Sequence, residues 1–216
     1  MKRFFSIDNP VMRVLVKLFD VIALSVIWAV FSVPIFTIGA ASTALYATVY
    51  HHVRLGEGYL WKTFWESFKE NFKRSTLAWL PMLAMILFLI FDIITIRFLI
   101  KNGHPLGAIF GVLLVLLLVS AVWAQFLFAY CARFDGTVKD SLRYSFYLLM
   151  AHPLRSIGIM LLIFGLAALI LVVPGLAILY PAGTVWITSY LIEDVFIKHM
   201  SDDDRERTNQ ELSDHD

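Results

Sequence analysis

Only a few residues of this sequence combine a chemically capable side chain with an unusual setting. Asp92 lies in an apolar run that begins near Leu77, and a carboxylate at mid-bilayer costs about 2.5 to 3.5 kcal/mol on insertion scales. Such a group could carry a proton or meet a substrate, or it could be an interfacial acid paired with a base or with water. Gln125 stands in a second apolar run, where its amide predicts an interior hydrogen bond. These two residues are the candidate intramembrane polar residues.

The other reactive residue types do not favour a catalytic or metal site. His51 and His52 are adjacent, and adjacent side chains on a helix point away from each other, so they are poor joint metal ligands. Cys131 is the single cysteine and has no internal disulfide partner. The sequence contains no phosphate-binding glycine loop, zinc signature, nucleophile elbow or dinucleotide-binding glycine run. We therefore expect neither an enzyme nor a bound cofactor.

A third group of residues predicts contacts with a surface. Between residues 61 and 74 aromatic side chains recur at helical spacing with charged residues on the opposite face, and a weaker version spans 138–149. Both helices are interpreted as amphipathic cytoplasmic helices, which either lie on the membrane or dock a cytoplasmic protein. The candidate contact residues are Trp61, Phe64, Trp65, Phe68, Asn71, Phe72, Arg133, Asp135, Gly136, Arg143 and Phe146.

The elements that would position these residues are membrane helices. The 216 residues are 59% hydrophobic and 16% charged, with a mean hydropathy of +0.75, which is too apolar for one soluble core. The run 106–130 has no Asp, Glu, Lys or Arg and is long enough to cross the lipid bilayer as a helix. The net charge of +1 conceals a basic body and an acidic tail, and it does not favour a nucleic-acid partner.

The number of spans depends on residues 15–53 and 156–197, each with a Val-Pro near its middle that could form a hairpin turn. If each region crosses once, four spans place nine Lys and Arg on either side; if each is a hairpin, six spans place sixteen against two. The second distribution follows the positive-inside rule. We predict an all-α bundle of six spans with both termini cytoplasmic, four or five remaining possible. The spans are 15–33, 35–53, 77–99, 107–131, 156–173 and 175–197.

The chain is divided into a transmembrane domain at 1–200 and an acidic tail at 201–216, which we predict to be disordered. Glu193 and Asp194, near the inner end of the last span, are interpreted as solvated residues. A weak internal repeat is also visible. In it, the pairs Arg54 and Arg133, Ser67-Phe68 and Ser145-Phe146, and Arg74-Ser75 and Arg155-Ser156 correspond; at a longer offset, Val33-Pro34, Thr48 and Tyr50 correspond to Val173-Pro174, Thr188 and Tyr190.

The sequence resembles the YesL-like family of bacterial membrane proteins, whose function is unknown. The matching residues are Phe5, Asn9-Pro10-Val11-Met12-Arg13, Leu18-Phe19-Asp20, Trp28, Pro34-Ile35-Phe36-Thr37-Ile38-Gly39-Ala40, Thr43-Ala44-Leu45-Tyr46 and Ser67-Phe68-Lys69-Glu70-Asn71-Phe72. The resemblance is densest in the first third of the chain. It implies a plasma-membrane location, and a genomic setting beside carbohydrate ABC importers and glycan-degrading enzymes. It supplies no catalytic residues.

Three functions are compatible with this resemblance. The leading hypothesis is a non-enzymatic accessory subunit or assembly factor of an oligosaccharide ABC importer, with the permease or ATPase as its partner. In its support, residues 132–137 are similar to the coupling loop of ABC permeases, although the usual Glu-Ala-Ala opening is absent. The alternatives are an autonomous small-solute transporter or channel built on the repeat, and a membrane scaffold or sensor for a signalling system. Few polar residues are expected at mid-membrane, which counts against the transporter.

Overall fold

The computed structural model describes residues 10–56, 58–102 and 104–199, and these ranges contain helices and no strand. The helices are α1 (Pro10–Phe31), α2 (Ile38–Thr48), α3 (Leu60–Lys101), α4 (Gly107–Arg133), α5 (Val138–Ala151), α6 (Pro153–Val172) and α7 (Tyr180–His199). A π-helical turn, Val49–Arg54, extends α2. The predicted all-helical class is confirmed for this part of the chain, whereas the predicted tail lies outside the described residues.

Three of these helices, α3, α4 and α6, are long enough and apolar enough to cross a membrane. Little of their most apolar stretches is buried inside the protein, so that surface is available to lipid. The expected membrane character of the chain follows from these helices.

Two proline turns confirm the expected breaks in the long apolar regions. The chain leaves α1 at Phe31, passes Pro34 and forms a short 3₁₀ helix, Ile35–Thr37, before α2 begins. The hydroxyl of Thr37 donates to the carbonyl of Phe31 at 2.6 Å. The same order recurs after α6, where Pro174 opens a 3₁₀ helix that precedes α7. Proline lacks a backbone donor and restricts the residue before it, so both positions end a helix.

The centre of the molecule is α2, in which every residue from Gly39 to Thr48 is buried. It packs against α1, α3, α4 and α7. Small residues permit this close packing: a Cβ at position 39 would lie 2.5 Å from the Cβ of Trp79 and 2.6 Å from the carbonyl oxygen of Ser75. The close approach of α3 therefore leaves no room at position 39 for a side chain larger than that of glycine.

The first half of α3 differs from the sequence-based expectation. A cytoplasmic helix at 61–74 and a separate span at 77–99 were expected, but both lie in one helix of 42 residues. At 1.5 Å per residue this helix is about 63 Å long, which is roughly twice the hydrocarbon thickness of a bilayer. Pro81 removes one backbone donor without ending the helix, as membrane helices tolerate.

The turn between α1 and α2 lies beside the first half of α3. The indole of Trp79 donates to the carbonyl of Ile35 at 3.1 Å, and the Phe31 ring lies 4.9 Å from that of Phe68. Beyond Trp79, α3 continues for about 33 Å. Most of α2 therefore packs beside the charged first half of α3 and not along the predicted span at 77–99.

The corresponding segment of the second half of the chain is interrupted. There α5 ends at Ala151 and α6 begins at Pro153, whose missing backbone donor suits a helix start. At its other end α5 begins with a capping box, in which the Thr137 hydroxyl and the Asp140 carboxylate each bond the other residue. The side-chain hydrogen bond from Thr137 holds the pKa of Asp140 below its usual value.

Candidate functional site

A cavity of about 250 Å³ opens between α1, α2, α4 and α7. Its apolar walls are formed by residues such as Leu45 and Phe128. A few polar groups converge on this space, which is the usual composition of a small-molecule site. The polar or amphipathic lining residues are Trp28, Ser42, Tyr46, Gln125, Tyr180 and Thr184.

The polar groups of this cavity differ in whether they already have hydrogen-bond partners within the protein. The indole of Trp28 donates to the Ser42 hydroxyl at 3.0 Å, which ties α1 to α2. The Thr184 side chain is buried, and its hydroxyl oxygen has no hydrogen-bond partner among the described residues. Because a buried hydroxyl without a partner costs free energy, Thr184 is a group that a bound solute or water would satisfy.

A buried ion pair adjoins this cavity through Tyr46, which lines it. The hydroxyl of Tyr46 donates to the Glu193 carboxylate at 2.8 Å, and the Nε of Arg133 lies 3.3 Å from the same oxygen atom. Glu193 is 2% exposed and Tyr46 is 1% exposed. Three helices, α2, α4 and α7, therefore meet at one carboxylate. Burying such a charge is tolerated because Arg133 and Tyr46 both interact with it.

Aromatic rings and a second arginine extend this pair along the π-helical turn. The guanidinium carbon of Arg133 lies 4.0 Å from the centre of the Tyr50 ring. That of Arg54 lies 5.4 Å from the same ring and 4.3 Å from the Tyr190 ring, and Arg54 also donates to the carbonyl of Ser189 at 3.2 Å. Stacking on aromatic faces stabilises guanidinium groups away from bulk water. The repeat-related arginines thus converge on Tyr50.

The residues predicted to contact lipid or a partner differ in their exposure, since some are buried and others are on the surface. Phe64 and Phe68 are buried against Phe31, so the expectation that they are accessible is wrong; their rings instead close the core around α2. Trp61 and Phe72 remain exposed, and Trp65 is half-buried. The reason is that α2 and the end of α1 cover part of the aromatic face.

Two other predicted contact residues are brought together by Arg74. Its guanidinium donates to the side chain of Asn71 at 2.8 Å and to the carbonyl of Phe134 at 2.7 Å, and it also bonds the carbonyl of Cys131. Asp135, which is fully exposed, lies 3.8 Å from the same group. Cationic side chains suit the carbonyl end of a helix, so Arg74 fixes the turn after α4. Gly136 is exposed in this turn.

The remaining predicted residues lie apart from one another. Arg143 is exposed on α5, and Phe146 is half-exposed with its ring 5.2 Å from that of Trp123. Asp92 is half-buried on α3, with no hydrogen bond or ion pair to another described residue, whereas Gln125 lines the cavity. The two candidate intramembrane residues therefore do not line the same cavity.

The sequence-based interpretation missed the buried carboxylate that bonds Tyr46 beside the cavity. Glu193 was expected to be solvated with Asp194, but only Asp194 is exposed, where it pairs with Arg155. Adjacent residues on a helix differ by about 100° in direction, which places Glu193 inside and Asp194 outside. One feature of the sequence pointed to this region, namely the correspondence of Arg54 and Arg133 in the internal repeat. Both arginines lie beside Tyr50, and Arg133 pairs with Glu193.

Comparison with known proteins gives a family match for part of the chain. Residues 21–93 match the family described as a protein of unknown function, DUF624. YesL-like proteins carry this domain, which agrees with the resemblance in the first third of the chain. No curated protein and no solved structure matches the chain. The DUF624 segment spans the second half of α1, all of α2 and much of α3, so it contributes Ser42 and Tyr46 but neither Arg133 nor Glu193.

Proposed function

We propose that this chain is a non-enzymatic membrane protein that binds a small polar solute in the cavity between α1, α2, α4 and α7. The observation that carries the proposal is the convergence on one space of the Ser42 hydroxyl, the Gln125 amide and the buried Thr184 hydroxyl, which has no hydrogen-bond partner in the described part of the chain. The space adjoins the Tyr46–Glu193–Arg133 network through Tyr46. The hydroxyl and amide groups provide hydrogen-bonding partners for a polar solute within an otherwise apolar lining.

The chemistry of the lining favours an uncharged solute. Among the described residues, no charged side chain lines the cavity, and the aromatic faces of Trp28 and Tyr180 supply apolar contact beside hydroxyl and amide groups. The Glu193 carboxylate does not line the cavity. It accepts a hydrogen bond from the hydroxyl of Tyr46, which does. A solute that bonds Tyr46 would therefore act on the ion pair that joins α4 to α7.

Cysteine accessibility tests this proposal directly. Ser42→Cys and Thr184→Cys line the cavity, whereas Ala44→Cys is a matched control because Ala44 is fully buried in the same helix as Ser42 and does not line this cavity. In membranes, a small uncharged polar methanethiosulfonate reagent is expected to label the two cavity cysteines and spare the control. If all three cysteines are equally unreactive, no aqueous solute reaches this space and the proposal fails.

A second candidate is the accessory subunit of a carbohydrate ABC importer, and the ordered turn after α4 favours it. Arg74 anchors this turn while Asp135 stays fully exposed at its tip. A rigid exposed acidic turn followed by a capped helix is a suitable protein contact. Tagged protein purified from its native host is expected to retain a permease pair, and Asp135→Ala combined with Arg143→Ala is expected to release it.

The control for that experiment is Lys62→Ala, which removes an exposed charge from α3. A variant of the turn that folds and still retains the permease would contradict the docking assignment. Co-purification of no importer subunit with the unmodified protein would remove the accessory function itself.

We also propose that both termini lie on the cytoplasmic side. The element order places both termini and α5 on one side if α3, α4, α6 and α7 cross in alternate directions and the α1–α2 hairpin returns to the side from which it enters. The same side then receives sixteen of the eighteen Lys and Arg, whether this hairpin crosses fully, giving six spans, or enters partly. A reporter fused after Asp216 that is active outside the cell would refute this orientation.

A further inference from the structure

A basic pocket lies where α5 meets α6. Its volume is about 220 Å³, and its lining includes His152, Arg155 and, from α7, Lys198. Arg155 and Lys198 are residues of the cationic types that pair with anionic groups. Leu154, which also lines the pocket, is largely exposed. The pocket therefore combines cationic groups with an accessible apolar rim.

Arg155 retains hydrogen-bonding capacity in this pocket. One of its terminal nitrogens, Nη2, pairs with the carboxylate of Asp194. The other, Nη1, is buried and has no hydrogen-bond partner among the described residues. Because guanidinium presents a rigid fork of donors, an oxyanion held beside Asp194 would complete its bonding. Lys198 adds a positive charge that Asp194 alone does not balance.

An apolar groove begins at the same junction. It has a volume of about 300 Å³ between α4, α5 and α6 and shares Pro153 with the basic pocket. Its walls include Val115, Val119, Met150, Ile157 and Met160. The one hydroxyl in the lining, that of Ser156, already donates to the carbonyl of Leu149 at 2.8 Å. From Pro153 to Met160 the groove follows α6 for about 10 Å into its apolar stretch.

We propose that the junction of α5 and α6 is a binding site for one anionic phospholipid. The phosphate group lies in the basic pocket, and an acyl chain lies in the groove along α6. The charge of the pocket complements an anionic headgroup, and basic pockets at the ends of membrane helices bind such groups. The groove distinguishes a lipid from a free phosphate, because only the lipid has an apolar chain to fill it.

The site is independent of the proposed solute cavity, since the two share no lining residue. The full chain, purified in mild detergent, is titrated with phosphatidylglycerol or with phosphatidylcholine of the same acyl chains, and its thermal unfolding is followed. A third arm uses glycerol 3-phosphate, which carries the phosphate without chains. We expect phosphatidylglycerol to raise the unfolding temperature and the other two compounds to leave it unchanged at equal concentration.

Two exposed lysines provide the matched comparison. Lys198→Gln removes a charge from the pocket, whereas Lys139→Gln removes one from α5 outside both cavities. We expect Lys198→Gln to weaken phosphatidylglycerol binding about fivefold, the usual worth of one lysine near an anionic membrane surface, and Lys139→Gln to leave it unchanged. Equal effects of the two lipids, or of the two variants, would overturn the site. Full stabilisation by glycerol 3-phosphate would overturn its assignment to a lipid.

Discussion

Glu193 and Asp194 are neighbours on α7, yet Glu193 forms a buried ion pair and Asp194 forms a solvent-exposed one. Glu193 is almost completely buried with Arg133, while Asp194 is 55% exposed as a side chain and pairs with Arg155 at the surface. Arg133 and Arg155 end α4 and open α6, so each pair joins α7 to another helix. The comparison teaches that the environment decides the strength of such a contact, because a buried charge without its partner cannot be rescued by water.

The largest expected effect comes from removing the buried carboxylate. Glu193→Ala takes away the group that Arg133 and Tyr46 share and leaves a guanidinium in a buried setting. We expect a loss of about 3 to 5 kcal/mol in the free energy of unfolding. Asp194→Ala is the paired variant, and we expect a loss below about 1 kcal/mol because its carboxylate is solvated. Denaturant unfolding in detergent measures both, and equal losses would break the comparison.

Packing should show the same contrast without any charge. Gly39→Ala places a Cβ against Trp79 and the backbone of Ser75 in the buried centre, so we expect a loss of about 1 to 3 kcal/mol. Gly111→Ala, on the exposed part of α4, meets no atom within 4 Å and should be neutral or slightly stabilising. Thermal unfolding of the two variants separates the outcomes. A stable Gly39→Ala protein would contradict the close contact between α2 and α3.

The hydroxyl of Tyr46 gives a finer test of the buried network. Tyr46→Phe keeps the ring but removes the donor to Glu193, and we expect about 1 to 2 kcal/mol of destabilisation. Tyr144→Phe is the control, because Tyr144 is half-exposed on α5 and its hydroxyl can meet water. Both variants are compared by unfolding in the same detergent. A Tyr46→Phe protein as stable as Tyr144→Phe would remove Tyr46 from the network.

The smallest effect is expected at the exposed start of α5. Thr137→Ala removes the capping hydroxyl, which is worth about 0.5 to 2 kcal/mol of helix stability, whereas Thr137→Ser retains it. The lowered pKa of Asp140 means that its carboxylate stabilises the cap above about pH 4. This contribution is lost as the pH falls through the lowered value. The protection factors of the first-turn amides of α5, which correct for the intrinsic slowing of hydrogen exchange in acid, should therefore fall as the pH is lowered, and less so in Thr137→Ala.

The sequence was sufficient for the helical class and for the two proline turns. Pro34 and Pro174 interrupt long apolar runs, and their effect on the backbone is local. The sequence was insufficient for α3, because the charged residues from Lys62 to Arg74 are typical of a surface segment. Only the structure shows that α2 packs beside this part of α3. The failure at Glu193 has a similar cause. Its burial depends on which face of α7 meets Tyr46 and Arg133, and those residues are distant in sequence.

The most direct test of the buried ion pair is a double-mutant cycle on Arg133 and Glu193. Arg133→Met, Glu193→Leu and the double variant are unfolded in the same detergent, and their free energies of unfolding are compared with that of the unmodified protein. We expect a coupling of about 2 kcal/mol or more, with the double variant more stable than either single variant because neither charge is left alone. Strictly additive losses would show that these residues do not interact, and would contradict the account.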